Sequence, residues 1–509
     1  MKMIYNVKDR PPVARLILFS LQQLLAILAA TIAVPMIVQN GLTPAAALFG
    51  AGVGTIVYLL FTKFKSPVFL GSSFAFLGSM GAAFAGGVSM SLGMLGLLIG
   101  AAFAGLVYVI IAIAVKFAGV KWIDKIMPAV VIGPTVAIIG LSLAGNAIGD
   151  LSSGSATYSV TELVAVIKDG VAVLEEVTKS VTYAHPLIAL LCGLVTLGVT
   201  IVCSVYGKKM LKMIPFIIGI LSGYALAAVF TAFSYLPNAE VLRVIDFSKF
   251  ATLGTAEAWY PDFAFVQIFT KGALDAGEVG SIGAYIGTIA VAYIPVAFVV
   301  FAEHLADHKN ISSIIETDLL KEPGLHRTLL GDGIGSVAGA FFGGCPNTTY
   351  GESVGCVAIS GNASVITILV TACMAIVCAF LAPFTLFLSS IPKCVMGGVC
   401  VALYGFIAVS GLKMIQNVNL NENRNLFVVS VILIAGVGGL VVSFGKVVIT
   451  SIACSLILGI LTNLLVNIHA KKCDETAAPV ADEAAQPAEK REEPLPTEEK
   501  TEDNPNETL

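Results

Sequence analysis

The chain has 509 residues, 57% of them hydrophobic and only 12% charged, with a formal net charge of −4 and a strongly positive mean hydropathy. That apolar content lies far above what a soluble domain carries, so a water-soluble enzyme is excluded and no nucleic-acid partner is expected. The composition is that of a polytopic membrane protein surrounded by lipid.

Residues 1–14 form a short basic start, read as a cytoplasmic N-terminus. The first apolar window, 16–38, follows without a small-residue cleavage site and is read as a retained span. Further windows of span length cover 92–115, 186–206, 213–235, 284–302, 363–389 and 426–444. With the shorter, Gly-broken stretches counted, roughly fourteen spans are expected across a transporter domain over 15–470. Lys and Arg cluster at 2–15, at Lys63 and Lys65, at 116–125, at Lys208, Lys209 and Lys212, at 309–327, and at Lys471 and Lys472. These fall on alternate loops, which puts them and both termini on the cytoplasmic side. The long polar connections over about 150–185 and 237–280 then lie outside.

The segment 471–509 has another character. Beyond Cys473 it carries twelve Asp and Glu against Lys490, Arg491 and Lys500, a net −9 that leaves +5 for the rest of a chain at −4. Such an acidic, Pro-containing stretch is expected to be a disordered cytoplasmic tail, while the basic remainder suits loops that meet anionic lipid. A chain ending at Lys472 is expected to keep full uptake. Loss of uptake by such a variant, folded and inserted, would contradict this. The ten cysteines form no Cys-x-x-Cys pair and read as small apolar packing residues; no metal site and no cofactor are expected. The Asn-x-Ser/Thr matches at Asn310 and Asn347 fall in cytoplasmic or buried positions and do not indicate glycosylation.

The chain echoes itself. Pro128-Ala-Val-Val-Ile-Gly133 returns as Pro392-Lys-Cys-Val-Met-Gly397, and Ser72-Ser73-Phe74 is answered, in the same order, by Thr348-Thr349-Tyr350. Two repeats of about seven spans, over about 15–236 and 281–470, are expected, and an odd number of spans per repeat requires inverted topology. Gly71-Ser-Ser-Phe and Pro346-Asn-Thr-Thr-Tyr-Gly make poor continuous helix. Irregular backbone at membrane depth is tolerated where it lines a cavity. Spans 3 and 10 are therefore read as broken helices with short extended pieces meeting near the midplane; a Gly/Ser/Thr helix-packing face is the other reading.

Carboxylates inside apolar segments carry the chemistry. Glu303 and Asp307 lie four residues apart, on one face of a helix, with His304 and His308 displaced around it; Glu352 follows the second broken string. Acids close together in low dielectric rarely ionise together, so one of the three is expected to hold a proton for much of a cycle, as a proton carrier must. Asp307, beside Lys309, reads equally as a solvated helix end. Asp332 in Gly331-Asp332-Gly333 is a supporting candidate or a span-end cap, and Ser73, Thr349 and Gln23 are placed in the same supporting role.

Arg10-Pro11-Pro12, Ser20-Leu21-Gln22, Gly71-Ser-Ser-Phe-Ala-Phe76, Glu303-His304, Pro323-Gly-Leu-His-Arg327 and Asn347-Thr-Thr-Tyr-Gly-Glu352 resemble the nucleobase/ascorbate transporters, in particular their bacterial uracil permease branch. The resemblance covers about residues 10–470. It implies an all-α polytopic fold with fourteen spans in two inverted repeats, divided into core and gate domains, and a dimer formed through the gate. It also implies proton-coupled uptake of uracil across a bacterial inner membrane. By the same resemblance the residue at Glu303 binds the pyrimidine ring, the one at Glu352 binds substrate and couples protons, and Ala30, Phe74, Tyr350 and Gly351 complete the pocket.

Three positions depart from that pattern. Gln23 stands where uracil permeases commonly have His, Asp307 where they have His, and Ser353 where the family signature has Asn. Asp307 resembles purine transporters, which keeps a xanthine or uric acid permease as the alternative, and sodium stays open as the coupling ion. An anion exchanger fits two buried acids poorly. An intramembrane hydrolase would need a nucleophile with an activating base, and the sequence contains no His-Glu-x-x-His or Gly-x-Gly-Asp. A channel is compatible with composition alone.

Overall fold

An unbroken apolar segment in lipid can satisfy its own backbone only as helix, and the windows 16–38, 92–115, 186–206, 213–235 and 284–302 fold accordingly, whereas 363–389 is bent and the helix in 426–444 ends at Val437. The computed structural model describes residues 3–468 apart from 86–87, 169–170, 209, 271–280, 417 and 445–446. One compact unit runs to Leu465; of the second, Val466–Leu509, only the residues up to 468 are described, so the tail expected over 471–509 lies outside them.

The helices that build the interior are α1 (Val13–Val38), α2 (Pro44–Phe61), α3 (Leu77–Ala83), α4 (Met90–Ala118), α5 (Ala129–Ser142), α6 (Pro186–Tyr206), α7 (Pro215–Phe233), α8 (Ile282–Ile315), α9 (Leu325–Gly343), α10 (Gly351–Ser360) and α11 (Lys393–Ile415). Several start on local signals that the sequence displays. Thr43 caps α2 by accepting the Ala46 N–H, with Pro44 in the first turn, and Ser281 caps α8 by accepting the Ala284 N–H. Among the described residues eight helices are long and apolar enough to cross a membrane, or nine if Val365–Cys378 and Ala382–Ser390, bent by 85°, form one span. Shorter apolar pieces cover Phe74–Ala83, Asn423–Val437 and Ser451–Asn467. The architecture is mostly helical and multi-pass.

The chain is not purely α. Residues 150–185, expected as an irregular polar connection, contain a hairpin in which β2 (Thr157–Lys168) pairs antiparallel with β3 (Val171–Thr182). The cause is local: both stretches are rich in Val and Thr, residues that favour a pleated strand, and they are joined by Asp169-Gly170. The described part of the 237–280 connection, up to Thr270, contains short 3₁₀ turns, such as Phe247–Gly254, and the helix Ala264–Thr270.

The feature that positions the site is a two-stranded crossing deep in the protein. β1 (Leu70–Ser72) pairs antiparallel with β4 (Asn347–Thr349), with Leu70 opposite Thr349 and Ser72 opposite Asn347. Beyond the ladder, Ser73 N–H donates to the Pro346 carbonyl at 2.9 Å and Tyr350 N–H to the Phe69 carbonyl at 3.2 Å, so the extended backbone meets its hydrogen-bond demand across the pair. Side chains secure both strands. The Thr55 hydroxyl accepts the Leu70 N–H at 2.9 Å, Ser336 Oγ accepts the Asn347 N–H, and Asn347 Nδ2 donates to the Gly50 carbonyl at 3.1 Å. The last contact requires a seam without side chains between α2 and α9: a Cβ on Gly339 would stand 2.1 Å from Asn347 Nδ2.

The helices that follow each strand are short, α3 after β1 and α10 after β4. Residues at the start of the chain brace the far end of α10. Ile4 N–H donates to the Gly361 carbonyl at 2.7 Å, Ala363 N–H to the Tyr5 carbonyl at 2.8 Å, and Ser364 Oγ to the Asp9 carbonyl at 2.6 Å. Part of the 1–14 segment is thus packed against the helical unit. Pro128 and Pro392, which open the two echoing strings, both cap helices, and α5 and α11 pack against each other with Gly140 against the Tyr404 backbone.

Candidate functional site

The strand crossing and α8 bound a cavity of about 280 Å³. Glu303 and Asp307 reach it from α8, Glu352 from the first turn of α10, Phe74 from the turn after β1, and Thr348, Tyr350 and Gly351 from the end of β4. These are residues that the sequence marked, brought together from three separate stretches. The opposite wall consists of Val136 on α5, Ser204 on α6, Lys212, Pro215 and Phe216 at the start of α7, and Phe406, Ile407 and Ser410 on α11. None of that wall stands out in the sequence, because each residue belongs to a generic apolar helix or its edge.

Two of the marked residues are held in place by hydrogen bonds. Thr349 Oγ1 donates to Asp307 Oδ2 at 2.8 Å, and Tyr350 OH donates to the Ser72 carbonyl at 2.8 Å. Asp307 is only 8% exposed and lines the cavity, so it is not a solvated helix end. The Tyr350 ring lies flat over the Gly71 Cα: a Cβ there would stand 2.3 Å from two ring carbons. Phe74 meets Tyr404 of α11 edge-on, with centroids 5.4 Å apart. Ala30 is wholly buried and is not among the lining residues; Ala26, one turn earlier on α1, lines the cavity.

The other supporting candidates pack behind this surface. Asp332 on α9 is 1% exposed, and its Oδ2 lies 2.7 Å from His304 Nδ1. His304 Nε2 lies 3.0 Å from Thr328 Oγ1, and the His304 ring stacks on His308 at 3.9 Å between centroids. His308 Nδ1 faces the His304 carbonyl at 2.8 Å, and a carbonyl only accepts, so that nitrogen carries the hydrogen. Its Nε2 lies 2.8 Å from Tyr58 OH, which also contacts Ser66 Oγ at 2.7 Å. The back of α8 is therefore bolted to α9 and α2 by polar contacts while its front presents carboxylates. The sequence singles out Asp332 as a supporting candidate but discloses neither its pairing with His304 nor the parts of Thr328 and Tyr58, because these partners lie on other helices. Ser73 is fully buried and acts through its backbone N–H; Gln23 contacts Ser353.

The cavity continues into a second of about 580 Å³ that shares Ala306, Asp307, Asn310, Phe406 and Ser410 and adds Lys309 and Lys413. Two others, of about 380 and 370 Å³, lie further along the same helices in the opposite direction; one is lined by Ala33, Met36, Met396 and Cys400, and they share Ile37 and Asn146. Along α11, Tyr404 falls between the two groups of lining residues, where it meets Phe74.

Known proteins agree with this architecture. The family model for xanthine/uracil permeases, described as a permease family, matches residues 14–182 and 161–444. The chain belongs to that permease family. It is 37% identical over 472 residues to a uracil permease of Bacillus caldolyticus, covering 91% of this chain and 95% of the relative. It is 36% identical to a uracil permease of Bacillus subtilis (strain 168) over 91% and 95%, and 33% identical to one of Escherichia coli (strain K12) over 90% and 93%. Among solved structures it is similar in fold to the transmembrane domain of the cyanobacterial bicarbonate transporter BicA, with a TM-score of 0.57, 15% identity and coverage of 90% and 98%. SLC26A9 matches with a TM-score of 0.59 at 12% identity, covering 89% of this chain and 65% of that one. The permease is therefore a multi-pass membrane transporter in class, and the cavity lies where its family-specific strings converge.

Proposed function

We propose that this permease imports uracil together with protons across a bacterial-type inner membrane, by alternating access, with both termini cytoplasmic. The observation that carries the reading is the convergence of Glu303 and Glu352 on one cavity that Phe74, Tyr350 and the end of β4 also line. A uracil ring has N–H donors flanked by carbonyl acceptors. Carboxylates suit the donors, backbone N–H groups at the start of α10 suit an acceptor, and Phe74 and Tyr350 suit the flat faces. The names of the relatives support the substrate.

Alternating access is supported by cavities at the two ends of α1 and α11 with the Phe74–Tyr404 contact between them. The architecture we propose has fourteen spans in two inverted repeats, about 15–236 and 281–470. A core, carrying both strands and the carboxylates, rocks against a gate that includes α5, α6, α7 and α11. A dimer through the gate is part of the same proposal. Proton coupling is supported by three acids around one small cavity, where each disfavours ionisation of the others. A permease for xanthine or uric acid is the second reading, favoured by the buried Asp307.

The deciding experiment is uptake of labelled uracil by the purified protein in proteoliposomes, with and without an imposed pH gradient. Saturable accumulation that a protonophore abolishes supports the proposal. Accumulation that requires sodium instead would replace the coupling ion, and saturable uptake of labelled xanthine but not of labelled uracil would move the substrate. Gly71→Ala provides an internal check. The added methyl must displace the Tyr350 ring, and it is expected to weaken uracil affinity by about tenfold or more while leaving membrane insertion intact. Wild-type affinity in that variant would show that Tyr350 is not a wall of the binding site.

A further inference from the structure

The hydroxyl of Ser353 joins three elements of the site. Ser353 directly follows Glu352 in the first turn of α10. Its Oγ accepts from Gln23 Nε2 of α1 at 2.5 Å and from the Phe69 backbone N–H at 3.1 Å; the Gln23 amide also reaches the Ser353 carbonyl at 3.4 Å. Gln23 is 3% exposed, and Ser353 and Phe69 are fully buried. Phe69 leads into β1 and accepts the Tyr350 N–H, so the junction grips the step from β4 into α10. Neither Gln23 nor Ser353 lines the cavity, but Ala26, one turn along α1, and Glu352 do.

The chemistry of the contact is specific. One oxygen accepts from two buried donors, which uses both of its lone pairs, and loss of that oxygen leaves an amide N–H and a backbone N–H without it in a closed interior. Gln23 and Ser353 are also two of the three positions where the sequence departs from the family pattern it resembles. These departures, 330 residues apart, meet in one hydrogen bond. We propose that Gln23 and Ser353 are a matched pair of positioning residues that set the first turn of α10, and with it Glu352, against α1 and β1. The pair thereby tunes substrate affinity without touching substrate. This rests on the reading of the cavity as the uracil site.

The test is a four-way comparison of uracil uptake by the full chain in proteoliposomes: unmodified protein, Gln23→Ala, Ser353→Ala and the double variant. Each single change is expected to raise KM about tenfold with Vmax within about twofold, and the double to raise it no further than the larger single, because both remove one interaction. Unchanged KM in the singles, or a double effect equal to their product, would overturn the pairing. If an alanine variant fails to fold, Gln23→His alone and together with Ser353→Asn decides. The double is expected to return KM to within about threefold of the unmodified protein while the single does not, and equal KM in the two would overturn it. Absence of uracil uptake by the unmodified protein would instead overturn the functional reading. The same comparison, run with whichever nucleobase stabilises the protein, then still decides the pair.

Discussion

Glu303→Ala is expected to abolish uracil binding, read as loss of thermal stabilisation by uracil in detergent and loss of saturable uptake in proteoliposomes. Glu303 reaches the cavity from α8, a helix bolted behind by the His304–Asp332 and His308–Tyr58 contacts, so truncation should remove the carboxylate without moving the helix. A hydrogen bond to an ionised carboxylate contributes about 1.5–3 kcal/mol, and a ring N–H left unpaired in a closed cavity costs about 1–3 kcal/mol more. At 1.4 kcal/mol per factor of ten, affinity should fall at least about 100-fold. Stabilisation by uracil that survives in the variant would remove Glu303 from the site. Running xanthine, uric acid and cytosine beside uracil makes the same measurement a test of substrate class, since binding to the native state raises apparent stability for whichever base fits.

Glu352→Gln should separate binding from coupling. The amide keeps the length of the side chain and can still hydrogen-bond a heterocycle, but it cannot exchange a proton. Uracil is therefore expected to exchange across the membrane through the variant at a rate within about tenfold of the unmodified protein, while accumulation driven by a pH gradient falls by at least about tenfold. Concentrative uptake equal to that of the unmodified protein would assign the proton to Asp307 or Glu303. Asp307 is the next residue to test, because its Oδ2 is already occupied by the Thr349 hydroxyl and the substitution Asp307→Asn would change the donor balance at that contact.

What could be read from the chain and what could not divides along physical lines. Glu303 and Glu352 are conspicuous because an acid among apolar residues is costly wherever the helix lies, so its presence signals a cavity before any fold is known. Gly71 and Asn347-Thr-Thr are conspicuous for the parallel reason that they break helix where helix is otherwise required. Lys212, Phe216 and Phe406 carry no such mark. Their place on the wall depends on how apolar helices pack, and lipid-facing and cavity-facing positions look alike in composition. The His304–Asp332 contact depends on the register of α9 against α8, which neither residue discloses. Ala30, which the resemblance places in the pocket, stands one turn along α1 from Ala26, which lines the cavity, and successive small residues there offer nothing to distinguish them. The β2–β3 hairpin was hidden differently: its Val and Thr alternate as in any strand, but in so apolar a chain that pattern is easily passed over as connecting loop.

The strand crossing has a consequence for how the protein is made. Leu70–Ser72 leaves the ribosome long before Asn347–Thr349 exists, and until then its backbone groups have no ladder partner at a depth where water is scarce. The early half of the chain must therefore enter the bilayer unfinished, with its central segment held loosely or kept near the water, and becomes complete only when the later half arrives. A chain in which the two strands have not met therefore differs from a finished one at the cavity that Glu303, Glu352 and Tyr350 line.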